Sequence, residues 1–117
     1  MKPDTWMPFW GDKFFTAVKG RPDFVKLGYI TGLWYFWSHN HCIGLENNSD
    51  FLRGVCEVSE KNWAVSEPII FDNNKFFTLN ENGLWIQTYA VELWNEKIES
   101  YRRRVEAGKT GAKKRWH

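Results

Sequence analysis

The side chains best suited to chemistry in this chain are cationic and gather near its carboxyl end. Arg102, Arg103 and Arg104 run together, Lys109 follows, and Lys113, Lys114 and Arg115 precede Trp116. Clustered guanidinium and ammonium groups bind a phosphate backbone by displacing its condensed counterions, so this run points to nucleic acid. The competing reading is a solvated basic helix end whose cations oppose the helix dipole. Upstream, Lys61 and Asn62 are residue types that read base edges, Lys donating to guanine and Asn pairing bidentately with adenine. Glu60 and Glu67 flank them, however, and repel phosphate. Lys75, with Asn80 and Asn82, stands on a segment that reads as a β-hairpin and offers a further phosphate contact, with Glu81 beside it.

Other chemistries find less support. His39, His41 and Cys42, with Cys56 or His117 to complete a set, invite a metal, but "HNHC" lacks the paired spacing of zinc modules. No Gly-rich phosphate loop, HExxH or G-x-S-x-G string occurs, and the carboxylates have no evident partner histidine. The chain reads as non-enzymatic, with no metal or other cofactor implied. Trp116 stands apart from the other tryptophans: it sits among cations, where it either folds back on the body or anchors in a partner's pocket.

The 117 residues amount to one domain, and 43% hydrophobic and 18% aromatic content suffices for a core without disulfide staples. Residues 1–87 hold eight Lys/Arg and ten Asp/Glu, whereas residues 88–117 hold eight and four, so the basic character belongs to the C-terminal quarter. The two cysteines form no CxxC, and no charged n-region leads an apolar segment after Met1, which fits a cytoplasmic protein. The longest apolar run, "LGYITGLWYFW" at residues 27–37, is short of the roughly 20 residues a membrane span requires.

The elements that must position these residues follow from punctuation and period. "WMPFWGDKFF" reads as an irregular aromatic segment running into a short helix from about Asp12. Pro22 and Asp23 open a long central helix with Leu27, Ile30, Leu33, Trp34 and Trp37 as its apolar stripe, ending between Ser38 and Asn40. Asn48 or Ser49 caps a short helix that turns Phe51, Leu52 and Val55 inward. Ser59 caps the next, with Trp63, Val65 and Ile69 or Ile70 inward, and Pro68 should kink or end it near Glu67. These two helices have helix-turn-helix proportions, and the Asn82-Gly83 hairpin after them has the place of a wing. Val91, Trp94, Ile98, Tyr101 and Val105 then recur at helical spacing, and Gly108 and Gly111 make a continuous helix beyond them less favourable. The expected organisation is a winged-helix-like domain over residues 1–106 and a basic, Gly-containing tail over residues 107–117.

"WMPFWGDKFF", Tyr29 with Phe36 and Trp37, Trp63, "NGLW" and above all the closing "EAGKTGAKKRW" resemble the phage and prophage domain of YdaU-like proteins, also found at the N-terminus of some phage replication (replisome organizer) proteins. The resemblance covers nearly the whole chain, although "DFVKLGY" replaces the family's usual acidic, small-residue segment, and family members often continue into a further domain. It implies an α+β, mainly α, winged-helix fold in a phage replication setting within a bacterial host cell. The expected function is therefore DNA binding or replication support through a basic C-terminal helix and tail. The alternative is a protein-interaction module, either a replisome adaptor or a small phage factor that binds a host protein. A third reading is a homo-oligomer held through the C-terminal helix.

Overall fold

The computed structural model describes residues 11–116, with the backbone alone for Asp12, Lys13 and residues 110–116. The fold is mainly helical with one two-stranded antiparallel sheet. In chain order the elements are α1 (Gly11–Val18), α2 (Asp23–Ser38), α3 (Ser49–Cys56), α4 (Glu60–Ile70), β1 (Thr78–Leu79), β2 (Trp85–Ile86) and α5 (Thr88–Trp116). Among the described residues no helix is long and apolar enough to cross a membrane.

The core forms where α2 crosses α3 and α4. Val25, Tyr29, Leu33, Phe36 and Trp37 are buried, together with Gly28 and Gly32. This differs in phase from the expected stripe: Leu27 is 65% and Trp34 53% exposed, while Tyr29 and Phe36 take the inward positions. The sequence is apolar around most of the α2 circumference, so period alone does not set the inward direction. The two glycines set it, because only a face without Cβ atoms admits the neighbouring helices so closely. A Cβ on Gly28 would lie 2.7 Å from Val58 Cγ2, and one on Gly32 2.8 Å from Cys56 Sγ.

The turn between α3 and α4 is tight because Glu57 adopts the left-handed conformation (φ 54°) and its N–H returns to the carbonyls of Arg53 and Gly54. Asn48 caps α3 by accepting from the Phe51 N–H at 3.0 Å, and Trp63 Nε1 donates to Ser49 Oγ at 2.8 Å, tying α4 to the start of α3. Leu52, Val55, Trp63 and Ile70 face the core, whereas Phe51 and Val65, expected inward, are 36% and 49% exposed. Nor does α4 end at Glu67: it runs past Pro68 to Ile70, with the Phe71 N–H closing on the Glu67 carbonyl at 2.9 Å. Proline removes one N–H, and Ala64 and Pro68 lie on the exposed side, so the freed carbonyl is not confined to the core.

The hairpin is short. Thr78 pairs with Ile86 and Leu79 with Trp85, and the turn is organised by Asn80, whose Oδ1 accepts from the Asn82 and Leu84 N–H groups. Gly83 takes φ 76°, a conformation in which a Cβ would be strained. A further bridge joins Leu45, in the loop between α2 and α3, to Trp85, with both backbone hydrogen bonds made at 2.8 and 2.9 Å. Asn40 braces that loop, its side-chain amide bonding both the N–H and the carbonyl of Gly44.

Ala90 and Trp94 bury the first turns of α5, and among the described residues Ile98 is its last packed on the core. The helix then continues through Gly108 and Gly111 to Trp116, the course those two glycines make less favourable. Glycine costs about 1 kcal/mol per helical position, which disfavours without forbidding, and Glu106, Ala107, Lys109 and Ala112 are good helix formers. The molecule measures 66 × 29 × 22 Å.

Candidate nucleic-acid interface

α5 carries the candidate surface. About 27 Å of it follow Ile98 at 1.5 Å per residue. Arg102, Arg103, Arg104 and Lys109 are all exposed. Arg103 approaches Glu99 at 3.9 Å one turn back, with both side chains largely in solvent, and such a pair adds little stability. Among the described residues Arg102, Arg104 and Lys109 have no ion-pair partner, so the described acids of the body do not neutralise them. Lys113, Lys114, Arg115 and Trp116 occupy helical backbone positions, and their side chains lie outside the described ones.

The helix face of 3.5-residue spacing orders these charges. Trp94, Ile98, Tyr101 and Val105 form one line, Arg102 and Lys109 border it on one side, and Lys97 and Arg104 border it on the other. Glu92, Glu96, Glu99 and Glu106 lie farther round. Tyr101 and Val105 are half-buried while the bordering arginines are exposed, as this arrangement requires.

Lys61 and Asn62 stand in the first turn of α4, separate from that helix. Lys61 is exposed beside exposed Glu60, and Asn62 is half-buried, its carbonyl accepting from the Ser66 hydroxyl. The outer face of α4 presents Glu60, Lys61, Ala64, Val65 and Pro68, a surface with one cation, one anion and three apolar groups. Lys75 is exposed in a turn built by Asp72, whose carboxylate accepts from the backbone N–H groups of Asn74, Lys75 and Phe76. Lys75 also borders a hollow of about 150 Å³ lined by Phe14, Tyr29, Leu33, Gln87 and Tyr89. Burial pushes the Tyr29 phenol up to about 12; a hydrogen bond with Gln87 opposes this, and the Asp72 charge adds to it.

The histidine–cysteine loop uses its side chains for packing. His41 stacks on Trp94 with ring centroids 5.2 Å apart, His39 stacks on Tyr35, and Cys42 Sγ donates to the Ala90 carbonyl at 3.8 Å. Among the described residues no three His, Cys, Asp or Glu side chains gather as a metal site. Burial pushes both the Cys42 and Cys56 thiols up to about 12.

Pattern reading missed a second surface, the outer side of α2, where Leu27 and Trp34 are exposed near a hollow between α2 and α3. The signal available for it was the pair of inward glycines, which turns those two residues outward. In comparisons with family models, curated proteins and solved structures, no match to this chain was found.

Proposed function

We propose that this chain is a non-enzymatic DNA-binding or replication-accessory protein of the winged-helix type, of phage or prophage origin, acting in the bacterial cytoplasm. Its element order supports the fold assignment: a helix, a bridging strand residue at Leu45, two helices around a three-residue turn, and a hairpin that pairs with that residue. The resemblance of "EAGKTGAKKRW" and the aromatic positions to the YdaU-like domain supports the setting.

The observation that carries the DNA reading is the projecting half of α5, with its arginines exposed and not neutralised by the described acids of the body. Phosphate contact falls to this helix, with Lys61, Asn62 and Lys75 as lesser contributors. The charge-balanced, largely apolar face of α4 makes base reading in the major groove a minor part of the binding. Affinity should thus be largely independent of sequence and strongly dependent on salt.

The test is a fluorescence anisotropy titration of labelled duplex and single-stranded oligonucleotides at several salt concentrations. It compares the intact chain with the variant Arg102→Ala/Arg103→Ala/Arg104→Ala. The logarithm of the binding constant should fall linearly with that of salt, and the triple variant should lower the slope by up to about 2.7 on duplex DNA, roughly 0.9 for each phosphate left without its arginine. A salt-independent affinity, or a variant that binds as the intact chain does, rules the reading out.

A further inference from the structure

Among the described residues two surfaces carry apolar side chains open to solvent at least in part, and they are opposite in charge. The first lies on α2 and α3. Leu27, Thr31 and Trp34 share a face of α2, and the two apolar members are 65% and 53% exposed. Beside them is a hollow of about 220 Å³, lined by Thr31, Trp34, Tyr35, Gly54, Val55 and Glu57. Gly54 leaves it open, since a Cβ there would meet no atom within 4 Å. Phe51, 36% exposed, continues the aromatic surface by an edge contact to Tyr35 at 6.3 Å. A large exposed tryptophan beside an open apolar hollow is a binding surface more often than a neutral one. The one charged side chain lining it is anionic, Glu57, and it belongs to a stretch, residues 46–67, with five carboxylates and two cations.

The second surface is the stretch of α5 beyond Ile98. Its apolar line begins in the core with Trp94 and Ile98, then continues outward through Tyr101 and Val105. Arg102 and Lys109 border it on one side and Arg104 on the other. Two such helices do not suit one another, because pairing along the apolar line sets the bordering cations of one against those of the other. An anionic apolar hollow suits this helix in both respects. Past Ile98 the helix runs on without a break, so it does not turn back onto α2 of its own chain.

We infer that the projecting part of α5 docks on the α2–α3 hollow of a second copy. Tyr101 and Val105 lie against Trp34 and Val55, and Arg102, Arg104 and Lys109 lie over the carboxylates of the α3–α4 unit, Glu57 first. Each contact joins two different patches, so it either occurs twice about a two-fold axis in a reciprocal dimer or continues head to tail. This inference does not rest on the nucleic-acid reading, and its test contains no DNA.

The test is sedimentation velocity of the full chain over a wide concentration range, with folding of each variant checked by circular dichroism. The intact chain should self-associate. Trp34→Ala, which alters an exposed side chain, and Tyr101→Ala/Arg102→Glu should each weaken association at least tenfold while staying folded. Mixing these two variants should restore a one-to-one complex, because one supplies an intact α5 and the other an intact hollow. Glu57→Lys should likewise weaken association, and combining it with Arg102→Glu/Arg104→Glu should recover it. A chain that is monomeric throughout, association indifferent to these changes, or a mixture that fails to pair would each overturn the inference.

Discussion

A Cβ added to Gly28 would sit 2.7 Å from Val58 Cγ2 and 3.1 Å from Ile70 Cδ1, both on branched, packed side chains with little room to retreat. Gly28→Ala should therefore destabilise the fold by about 1–3 kcal/mol, despite the roughly 1 kcal/mol that alanine gains over glycine inside a helix. Gly108 faces open space, so there the helix preference acts unopposed, and Gly108→Ala should raise helical content without touching the core. Urea unfolding and far-ultraviolet circular dichroism separate the two cases. The ionisable side chains of the core supply a second expectation. Burial raises Tyr29 from 10 to about 12 and Cys42 and Cys56 from 9 to about 12, so the folded state holds these protons more tightly than the unfolded chain. Their contribution is fully present below the unfolded values, declines from about pH 9, and is lost as pH approaches 12. The urea midpoint should fall over that window, and the thiols should react with alkylating reagents at neutral pH only after unfolding. At this scale the sequence was least legible. Leu27 and Trp34 belong by type to a core and Gly28 to a flaw in one, and the actual roles are reversed because close helix approach outweighs single-residue hydrophobicity.

The helices α3 and α4 begin with residues of the same capping class but use them differently. Asn48 accepts from the Phe51 N–H at 3.0 Å, whereas Ser59, though placed as an N-cap, makes no side-chain capping bond. Asn48→Ala should therefore cost about 1 kcal/mol and Ser59→Ala well under half of that, read as shifts in the urea midpoint. The cap at the start of α3 and the Asn-Gly hairpin were legible because each depends on local backbone requirements that few residue types meet. Two boundaries were not. Pro68 and the pair Gly108 and Gly111 are breakers by propensity, yet α4 and α5 run through them. Propensity is worth about 1 kcal/mol for glycine, and for proline it depends on whether the freed carbonyl reaches water, which sequence does not state. The length of α5 matters to both candidate sites, since a break near residue 107 would turn part of the projecting arm into a loose tail.

Across the whole molecule, stability and cationic charge occupy different regions. The buried core extends from Val18 to Trp94, and the exposed arginines lie beyond Ile98. The charge asymmetry between residues 1–87 and residues 88–117 was readable from sequence, but its spatial consequence was not, because composition does not reveal whether cations fold back onto the body's acids. With no ion pair between the described acids of the body and the arm's arginines, the two properties should be separable by mutation. Removing residues 107–117 should leave the unfolding free energy nearly unchanged, because among the described residues Ile98 is the last of α5 packed on the core, and should still lower the salt slope of DNA binding in proportion to the cations removed. Trp94→Ala should do the opposite. It deletes a 7% exposed ring packed edge-on against Trp37 at 5.0 Å and stacked with His41, and should cost about 3–5 kcal/mol while leaving the arginines in place. Urea unfolding, run beside the DNA titration for both variants, gives the decisive comparison. If the truncated chain lost several kcal/mol, the arm would be part of the fold and its cations structural; if it lost only binding, the arm is the working surface and the aromatic body holds it out.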